Sequence, residues 1–366
     1  MATVTIKDVI NCLESWAPRA YQEDYDNCGL LTGNLSDPVK AILVTLDCIE
    51  SVVDEAITTG CNLIVAHHPI IFRGLKKITG QNYVERTIIK AIKNDIAIYA
   101  IHTNLDNVHT GVNKQMAERI GLKNPRILLP KKETLTKLVT FVPKENSGDV
   151  LNALYKAGAG NIGNYKNCSF KVVGEGSFMP NEKASPHIGQ TNQLERVEEE
   201  RIEVIFPFHL SSAIISALKK SHPYEEVAYY LTSLENENQE VGAGMVGELN
   251  EALEPSEFLS HIKKKMNAEC IRYTQVNQKI KRVVVCGGSG SFLLSMAKAA
   301  GAQAFVTADF KYHEFFDAEG KIMIADIGHY ESEQFTKDLL VEVLKEKFTT
   351  FASNFSKTVT NPISYF

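Results

Sequence analysis

The chain has 366 residues, of which 44% are hydrophobic and 23% are charged, a composition typical of a globular protein whose length favours two domains. The formal net charge is -5, and the basic clusters are as short as residues 263–265, which excludes the strongly basic surface that nucleic-acid binding requires. Seven scattered cysteines favour a reducing compartment, and no apolar run approaches membrane-spanning length. We therefore expect a cytoplasmic protein with no membrane partner.

The first third of the chain alternates apolar strands with amphipathic helices. Ile6, Val9, Ile10 and Leu13 recur at helical spacing and predict a first helix. Strands that are apolar throughout and alternate with helices indicate a parallel sheet covered on both faces. The predicted strands are 41–48, 62–69 and 97–106, and the helices that follow them are 51–60, 83–96 and 111–121.

The same alternation returns near the other end of the chain, whereas the middle has a different order. The middle reads β-α-β-β-α-β, which is the ferredoxin-like order of elements. We therefore predict an α/β parent domain with a mostly parallel sheet, formed by residues 1–126 and 246–366, and an α+β insert at 127–245. The late strands are predicted at 282–290, 302–309 and 321–329, and the late helices at 291–301 and 331–348.

Polar side chains collect where the parallel strands end. His67 and His68 close one strand, Asp106 closes the next, and His329 closes a late strand, with Glu333 four residues further along a helix. Ligands of parallel α/β sheets bind at the carboxyl ends of strands, so these side chains can converge. Imidazole nitrogens and carboxylate oxygens suit zinc, iron or manganese. Five candidates exceed the needs of one tetrahedral ion and predict a two-metal site with a bridging carboxylate.

Structural explanations compete with this prediction. A single histidine at a strand end is more often a hydrogen-bonded structural residue, and neighbouring strand side chains point to opposite faces unless the chain turns at Pro69. Asp309 and His313, beyond another strand end, fit a supporting or proton-donating role, but also a charged surface loop. Residues 286–291, "CGGSGS", could bind phosphate at a helix N-terminus, although a tight turn explains them more simply.

Several motifs carry a resemblance to a known family. "NLIVAHHP", "IHTNLDN", "SHPYEEVAYYL", "VVVCGGSG" and "ADIGHYESEQ" occur in this order and resemble the NIF-three-like family, whose members are often labelled GTP cyclohydrolase 1 type 2 homologues. The resemblance spans nearly the whole chain. It implies a ring-shaped homohexamer and an insert with the PII or CutA fold. It also implies dinuclear metal ligands at His67, His68, Asp106, His329 and Glu333.

Two functions are compatible with these features. The first is metal-assisted hydrolysis of a nucleotide or related substrate by a GTP cyclohydrolase-like enzyme, with two divalent transition-metal ions per chain (zinc first, then iron or manganese) and with His313 or Asp309 moving protons. The second is a non-catalytic metal-binding protein with a regulatory or scaffolding role. An open coordination position favours the enzyme, and a closed ligand set favours the scaffold.

Overall fold

The computed structural model describes residues 3–366. The chain divides into two units: the first runs to Pro130 and resumes from Gln239 to Phe366, and the second is Lys131–Asn238. The inserted unit therefore starts at 131 rather than at the predicted 127, and ends at 238 rather than at 245. The difference arises because residues on either side of it form paired strands of the first unit.

Strands and helices are numbered here in chain order. The fifteen strands of the described residues are Gly29–Thr32 (β1), Ile42–Thr45 (β2), Leu63–Ala66 (β3), Ala97–Ala100 (β4), Lys123–Pro130 (β5), Leu135–Pro143 (β6), Phe170–Phe178 (β7), Glu195–Pro207 (β8), Tyr229–Leu234 (β9), Gly242–Leu253 (β10), Arg272–Tyr273 (β11), Ile280–Ser289 (β12), Ala304–Ala308 (β13), Met323–Asp326 (β14) and Ser353–Phe355 (β15).

The α-helices follow the same numbering. Among residues 3–366, none is long and apolar enough to cross a bilayer. They are Ile6–Trp16 (α1), Glu50–Thr59 (α2), Tyr83–Lys93 (α3), Thr103–Asn107 (α4), Val112–Ile120 (α5), Ser147–Lys156 (α6), Ser211–Ser221 (α7), Pro255–Met266 (α8), Leu294–Ala299 (α9), His329–Glu333 (α10) and Thr336–Lys347 (α11).

The first sheet of the first unit agrees with the predicted parallel arrangement. Its strand order is β1-β4-β3-β2-β15, and every neighbouring pair is parallel except β1 with β4. Strands β2, β3 and β4 are buried along their whole length, as expected when both faces of a sheet are covered. The predicted helix end at Gly60 is also found, with this glycine in the left-handed conformation that caps α2.

The expectation of one mostly parallel sheet is wrong for the other half of the first unit. A second sheet has the order β11-β14-β13-β12-β10-β5, in which only β12, β13 and β14 are mutually parallel. Strands β5 and β10 were not predicted. β5 contains Pro125 and β10 contains three glycines in its first six residues, and both residue types weaken a strand pattern.

Several predicted elements near the polar residues end early or are divided. The strands predicted at 62–69 and 321–329 end at Ala66 and Asp326, before His67, His68 and His329. The strand predicted at 97–106 ends at Ala100, so that Asp106 lies in α4 and not on a strand. The helix predicted at 331–348 is divided into α10 and α11. Helix α10 begins at His329, directly after Gly328, whose φ of 94° permits the turn from β14. Short helices thus carry three of the five candidate ligands.

The second unit has the predicted element order β6-α6-β7-β8-α7-β9. Its four strands form one sheet of order β7-β8-β6-β9, in which every neighbouring pair is antiparallel. Two helices cover one face, and the core between them and the sheet includes Leu138, Leu154, Phe206 and Leu218. This is the ferredoxin-like arrangement.

The Glu85 carboxylate of α3 accepts hydrogen bonds from the loop that precedes this helix. The Asn82 side chain accepts a hydrogen bond from the Glu85 amide at 2.9 Å and caps the helix. The Glu85 carboxylate accepts from the amides of Thr79, at 2.8 Å, and Gln81, at 3.1 Å, and from the Thr79 hydroxyl. These hydrogen bonds lower the pKa of Glu85 from 4.5 to about 2.

We predict that Glu85→Gln destabilises the protein in a pH-dependent way. Because the pKa of Glu85 is lower in the folded state, its carboxylate stabilises the fold above pH 4.5, and that contribution is lost as the pH falls toward 2. The difference between variant and wild type in urea unfolding should therefore be larger at pH 7 than at pH 3. Glu342→Gln, at an exposed position of α11, is the control and should change stability less at pH 7. A pH-independent effect of Glu85→Gln would contradict the prediction.

Candidate metal centre

All five predicted ligands lie together in the first unit. His67 and His68 directly follow β3, Asp106 lies in α4, and His329 and Glu333 are the first and last residues of α10. Within the described residues, three groups of side chains place potential ligand atoms within 4.8 Å of one another. These groups are His67 with His68 and His102, His68 with His329 and Glu333, and His67 with Asp106 and Glu333.

The Glu333 carboxylate is the centre of the cluster. Its Oε2 atom lies 2.9 Å from Nε2 of His68, 3.2 Å from Nε2 of His329 and 3.8 Å from Nε2 of His67. Nε2 of His68 and Nε2 of His329 are 3.3 Å apart, and Asp106 Oδ1 is 3.5 Å from Nε2 of His67. A single buried carboxylate therefore faces three imidazoles.

Each of these imidazoles is oriented by a hydrogen bond on its other nitrogen. Nδ1 of His67 donates to the Ile101 carbonyl at 2.8 Å, and Nδ1 of His68 donates to Asp47 Oδ1 at 2.8 Å. Nδ1 of His329 donates to Asp309 Oδ2 at 2.6 Å. Ligating histidines in proteins have this same outer hydrogen bond to a carbonyl or carboxylate, which fixes the tautomer with Nε2 free to bind.

Two buried acceptor atoms in the cluster are unmatched. His67 Nε2 and Asp106 Oδ1 are both buried and have no hydrogen-bond partner among the described residues. With its proton on Nδ1, neutral His67 presents a lone pair at Nε2, and the atom opposite is a carboxylate oxygen. Two acceptors facing each other in the interior are unfavourable unless a proton or a metal cation lies with them. The donor set therefore fits a metal ion of the nitrogen- and oxygen-binding class.

Protonation of the metal-free cluster reflects its excess of negative charge. Burial lowers the pKa of His68, but hydrogen bonds to Asp47 and Glu333 outweigh it and raise the value to about 9. Burial likewise opposes the effect of Glu333 and Asp309 on His329, whose pKa rises to about 11. Burial and the Glu333 charge raise the pKa of Asp106 well above its usual range. Protons therefore supply the positive charge that a metal would supply, so metal binding should release protons.

Glycines of the "CGGSGS" segment allow Glu333 to approach the backbone. A Cβ atom on Gly288, whose φ is +60°, would lie 2.5 Å from Glu333 Oε1. The amides of Gly287 and Gly288 donate to Asn113 Oδ1 and Ser332 Oγ, each at 2.9 Å. These amides are thus engaged by side chains, which favours the simpler prediction of a tight turn over a phosphate site.

The two predicted catalytic residues have different surroundings. Asp309 follows β13 with a φ of 59° and hydrogen-bonds to His329, which fits the supporting role among the predicted alternatives. His313 lies exposed in a 3-10 helix, Tyr312–Ala318, with its ring against those of Tyr312 and Phe316. Among the described residues, His313 belongs to none of the groups that could hold a metal. Its predicted catalytic role gains no support from these contacts.

Sequence reasoning missed a fourth histidine. The His102 ring centroid lies 5.3 Å from that of His67 and 5.2 Å from that of His68. Nδ1 of His102 donates to Asp26 Oδ1 at 2.8 Å, so this imidazole is also oriented through Nδ1. The other Asp26 oxygen accepts from the amide and hydroxyl of Thr103 and from the Cys28 thiol. A usable signal existed, because His102 closely follows a buried strand just as His67 does.

Fold and site together define the class of protein: an α/β protein with an inserted ferredoxin-like unit and a candidate metal centre built from imidazoles and carboxylates. A sequence profile of the Duf34/NIF3 (NGG1p interacting factor 3) family matches residues 4–362, and the chain belongs to this family. The resemblance inferred from the motifs is thus confirmed.

Relatives match over almost their whole length. The protein named "GTP cyclohydrolase 1 type 2 homolog" from Bacillus subtilis (strain 168) is 39% identical, with 99% of both chains covered. The protein of the same name from Halalkalibacterium halodurans is 42% identical, with 93% of both chains covered. A crystal structure of a Bacillus cereus protein related to NIF3 matches with a TM-score of 0.88 and 39% identity, covering 100% of both chains.

We predict that His67 stays neutral across the physiological pH range in metal-free protein. Burial lowers the pKa of His67 to about 3, although the Glu333 charge opposes this shift. Nitrogen-15 NMR should show the Nδ1–H tautomer without titration between pH 5 and pH 8, with His67→Gln providing the assignment. Because the unfolded chain binds this proton near pH 6.5 and the folded chain does not, this residue lowers stability as the pH falls below 6.5. A midpoint near 6.5 in the folded protein would contradict the buried placement.

Proposed function

We propose that this protein is a metal-dependent hydrolase that holds two divalent transition-metal ions per chain. The proposed ligands are His67, His68, Asp106, His329 and Glu333. The observation that supports this most directly is the pair of buried, unmatched acceptors, His67 Nε2 and Asp106 Oδ1, beside a carboxylate that faces three imidazoles. Zinc is the proposed metal, and the ligand types also suit iron or manganese.

Accessibility of the cluster favours an enzyme over a closed structural site. Side chains of His67 and Glu333 are 0% and 2% exposed, but that of His329 is 37% exposed and that of His68 is 20% exposed. The cluster is thus buried on one side and open on the other, which leaves room for water or substrate. When bound, such ions lower the pKa of water to about 7 and polarise a substrate oxygen.

Asp47 and Asp309 orient proposed ligands, whereas His102 is placed to act as a base. Asp47 and Asp309 each occupy the Nδ1 proton of a proposed ligand, so they orient His68 and His329. His102 is outside the proposed ligand set, and its Nδ1 proton is engaged by Asp26. Its Nε2 atom is therefore available to accept a proton at the edge of the cluster. We assign proton transfer to His102 rather than to Asp309 or His313.

The substrate proposal is a nucleotide or related compound. It rests on the relatives named "GTP cyclohydrolase 1 type 2 homolog". For GTP, hydrolytic opening of the imidazole ring of the purine would release C8 as formate. A regulatory or scaffolding metal protein is the alternative, and the ferredoxin-like second unit favours it as a sensing or assembly module. The PII- or CutA-like character of this unit, the homohexamer and the cytoplasmic location stay predictions.

We predict that purified wild type binds close to two zinc ions per chain and that a His67→Ala, His329→Ala double variant loses most of this metal. Both substitutions remove an Nε2 atom that faces Glu333. Elemental analysis of zinc-loaded, desalted protein measures the content. His313→Ala, at an exposed position outside the cluster, is the matched control and should retain the wild-type content. Equal content in all three proteins would refute the proposed ligand set.

We predict that zinc-loaded wild type releases formate from GTP and that His102→Gln lowers the rate by about 10²- to 10⁴-fold, the usual contribution of general base catalysis. Proton transfer by His102 requires that His102→Gln keeps the wild-type metal content. A lower content would instead make His102 a ligand, since it lies with His67 and His68 in a group that could hold a metal. His313→Gln should keep both metal and rate. Absence of formate from fully loaded wild type would exclude GTP, and a screen of other nucleotides and phosphoesters would then test hydrolysis as such.

A further inference from the structure

The segment of residues 356–361, which follows β15 and is called the crossing segment here, is fastened to the first sheet. The Ser356 amide donates to the Val44 carbonyl at 2.8 Å and prolongs the pairing of β15 with β2. Glu55 then accepts four hydrogen bonds from Ser356, Lys357 and Thr358, with distances between 2.7 and 3.1 Å. One helix carboxylate therefore fixes the start of the crossing segment.

The next contact of the crossing segment reaches the candidate metal centre. The Thr360 hydroxyl donates to Asp47 Oδ2 at 2.6 Å. The other oxygen of the same carboxylate, Oδ1, accepts from Nδ1 of His68 at 2.8 Å. Thr360 and Asp47 thus form a chain of hydrogen bonds that ends at an imidazole whose Nε2 faces Glu333. Thr360 is itself buried, whereas the side chains of Asp47 and His68 are 32% and 20% exposed.

A third contact connects the crossing segment to the helix that carries the other candidate ligands. The Asn361 side-chain amide donates to Glu331 Oε1 at 3.1 Å. Glu331 is buried and lies in α10, between His329 and Glu333. The crossing segment therefore contacts Asp47, which orients His68 after β3, and the helix after β14 that carries His329 and Glu333.

We propose that Thr360 is a positioning residue for the metal centre, a role that rests on the metal binding proposed above. A carboxylate that orients an imidazole has two oxygens and can rotate about its own side-chain bonds. The Thr360 hydroxyl occupies Oδ2 and leaves Oδ1 aimed at Nδ1 of His68. This keeps the His68 ring in the orientation in which Nε2 meets Glu333. Loss of the direct outer partner of a ligand, here Asp47, typically weakens metal binding by about 10- to 100-fold. Thr360 acts one hydrogen bond further out, so its loss should weaken metal binding less.

The test compares three substitutions within the crossing segment. Thr360→Val removes the hydroxyl while keeping the side-chain shape, and Thr360→Ser keeps the hydroxyl. Thr358→Val is the matched control, because it removes a hydroxyl of the same segment that donates to Glu55 and not to Asp47. The zinc dissociation constant is measured by competition with a chromogenic chelator. Tm is measured on the metal-free proteins.

Positioning by Thr360 requires that Thr360→Val weakens zinc binding several-fold, up to the about 10-fold that is the lower bound for loss of a direct outer partner such as Asp47. Thr360→Ser should stay within about twofold of wild type, and Thr358→Val should keep wild-type affinity even where its Tm falls. Wild-type zinc affinity in Thr360→Val overturns the proposal. An equal loss of zinc affinity in Thr358→Val also overturns it, because that result would indicate a general destabilisation of the crossing segment. Thr360→Ala provides the same test if the valine variant does not fold. Failure of wild type itself to bind zinc would instead overturn the proposed metal function, and this inference with it.

Discussion

Histidine rings at this site are held through Nδ1, and this constraint determines what the cluster can do. An oxygen atom outside the cluster accepts a hydrogen bond from each Nδ1. In the neutral ring the Nε2 lone pair therefore points toward Glu333 or Asp106. Lone pairs and carboxylates that converge in a buried space repel each other, and only protons or a cation relieve that repulsion. The cluster is therefore suited to holding positive charge.

The fold supplies these orienting groups from the ends of parallel strands. Asp47 and His67 follow neighbouring strands of the first sheet, and Asp309 and His329 follow neighbouring strands of the second. Each sheet therefore delivers both a candidate ligand and an outer carboxylate. Parallel pairing makes this possible, because it brings successive strand ends to the same edge. Antiparallel strands β5 and β10 extend the second sheet without contributing to this edge.

Most of the candidate site could be predicted from the sequence, because its residues follow apolar strands that are easy to recognise. His67, His68 and His329 were found in this way. Asp309, the partner of His329, was also predicted, but Asp47, the partner of His68, and Asp26, the partner of His102, were not. These two carboxylates meet an imidazole only through contacts between separate segments of the chain. Strands β5 and β10 were missed because the proline of β5 and the glycines of β10 interrupt the apolar pattern by which a strand is recognised. Pairing with neighbouring strands stabilises them in the fold.

The position of the second unit within the first affects how a ribosome produces this site. His68 is synthesised 265 residues before Glu333, and Asp47 precedes Thr360 by 313 residues. During that interval His67, His68 and Asp106 have no His329 or Glu333 to face. Strand β2 likewise has an unpaired edge until β15 is synthesised. Domains made early in translation can fold as units, but a site divided in this way cannot. A nascent chain that has not yet reached Glu333 therefore presents only part of the candidate ligand set.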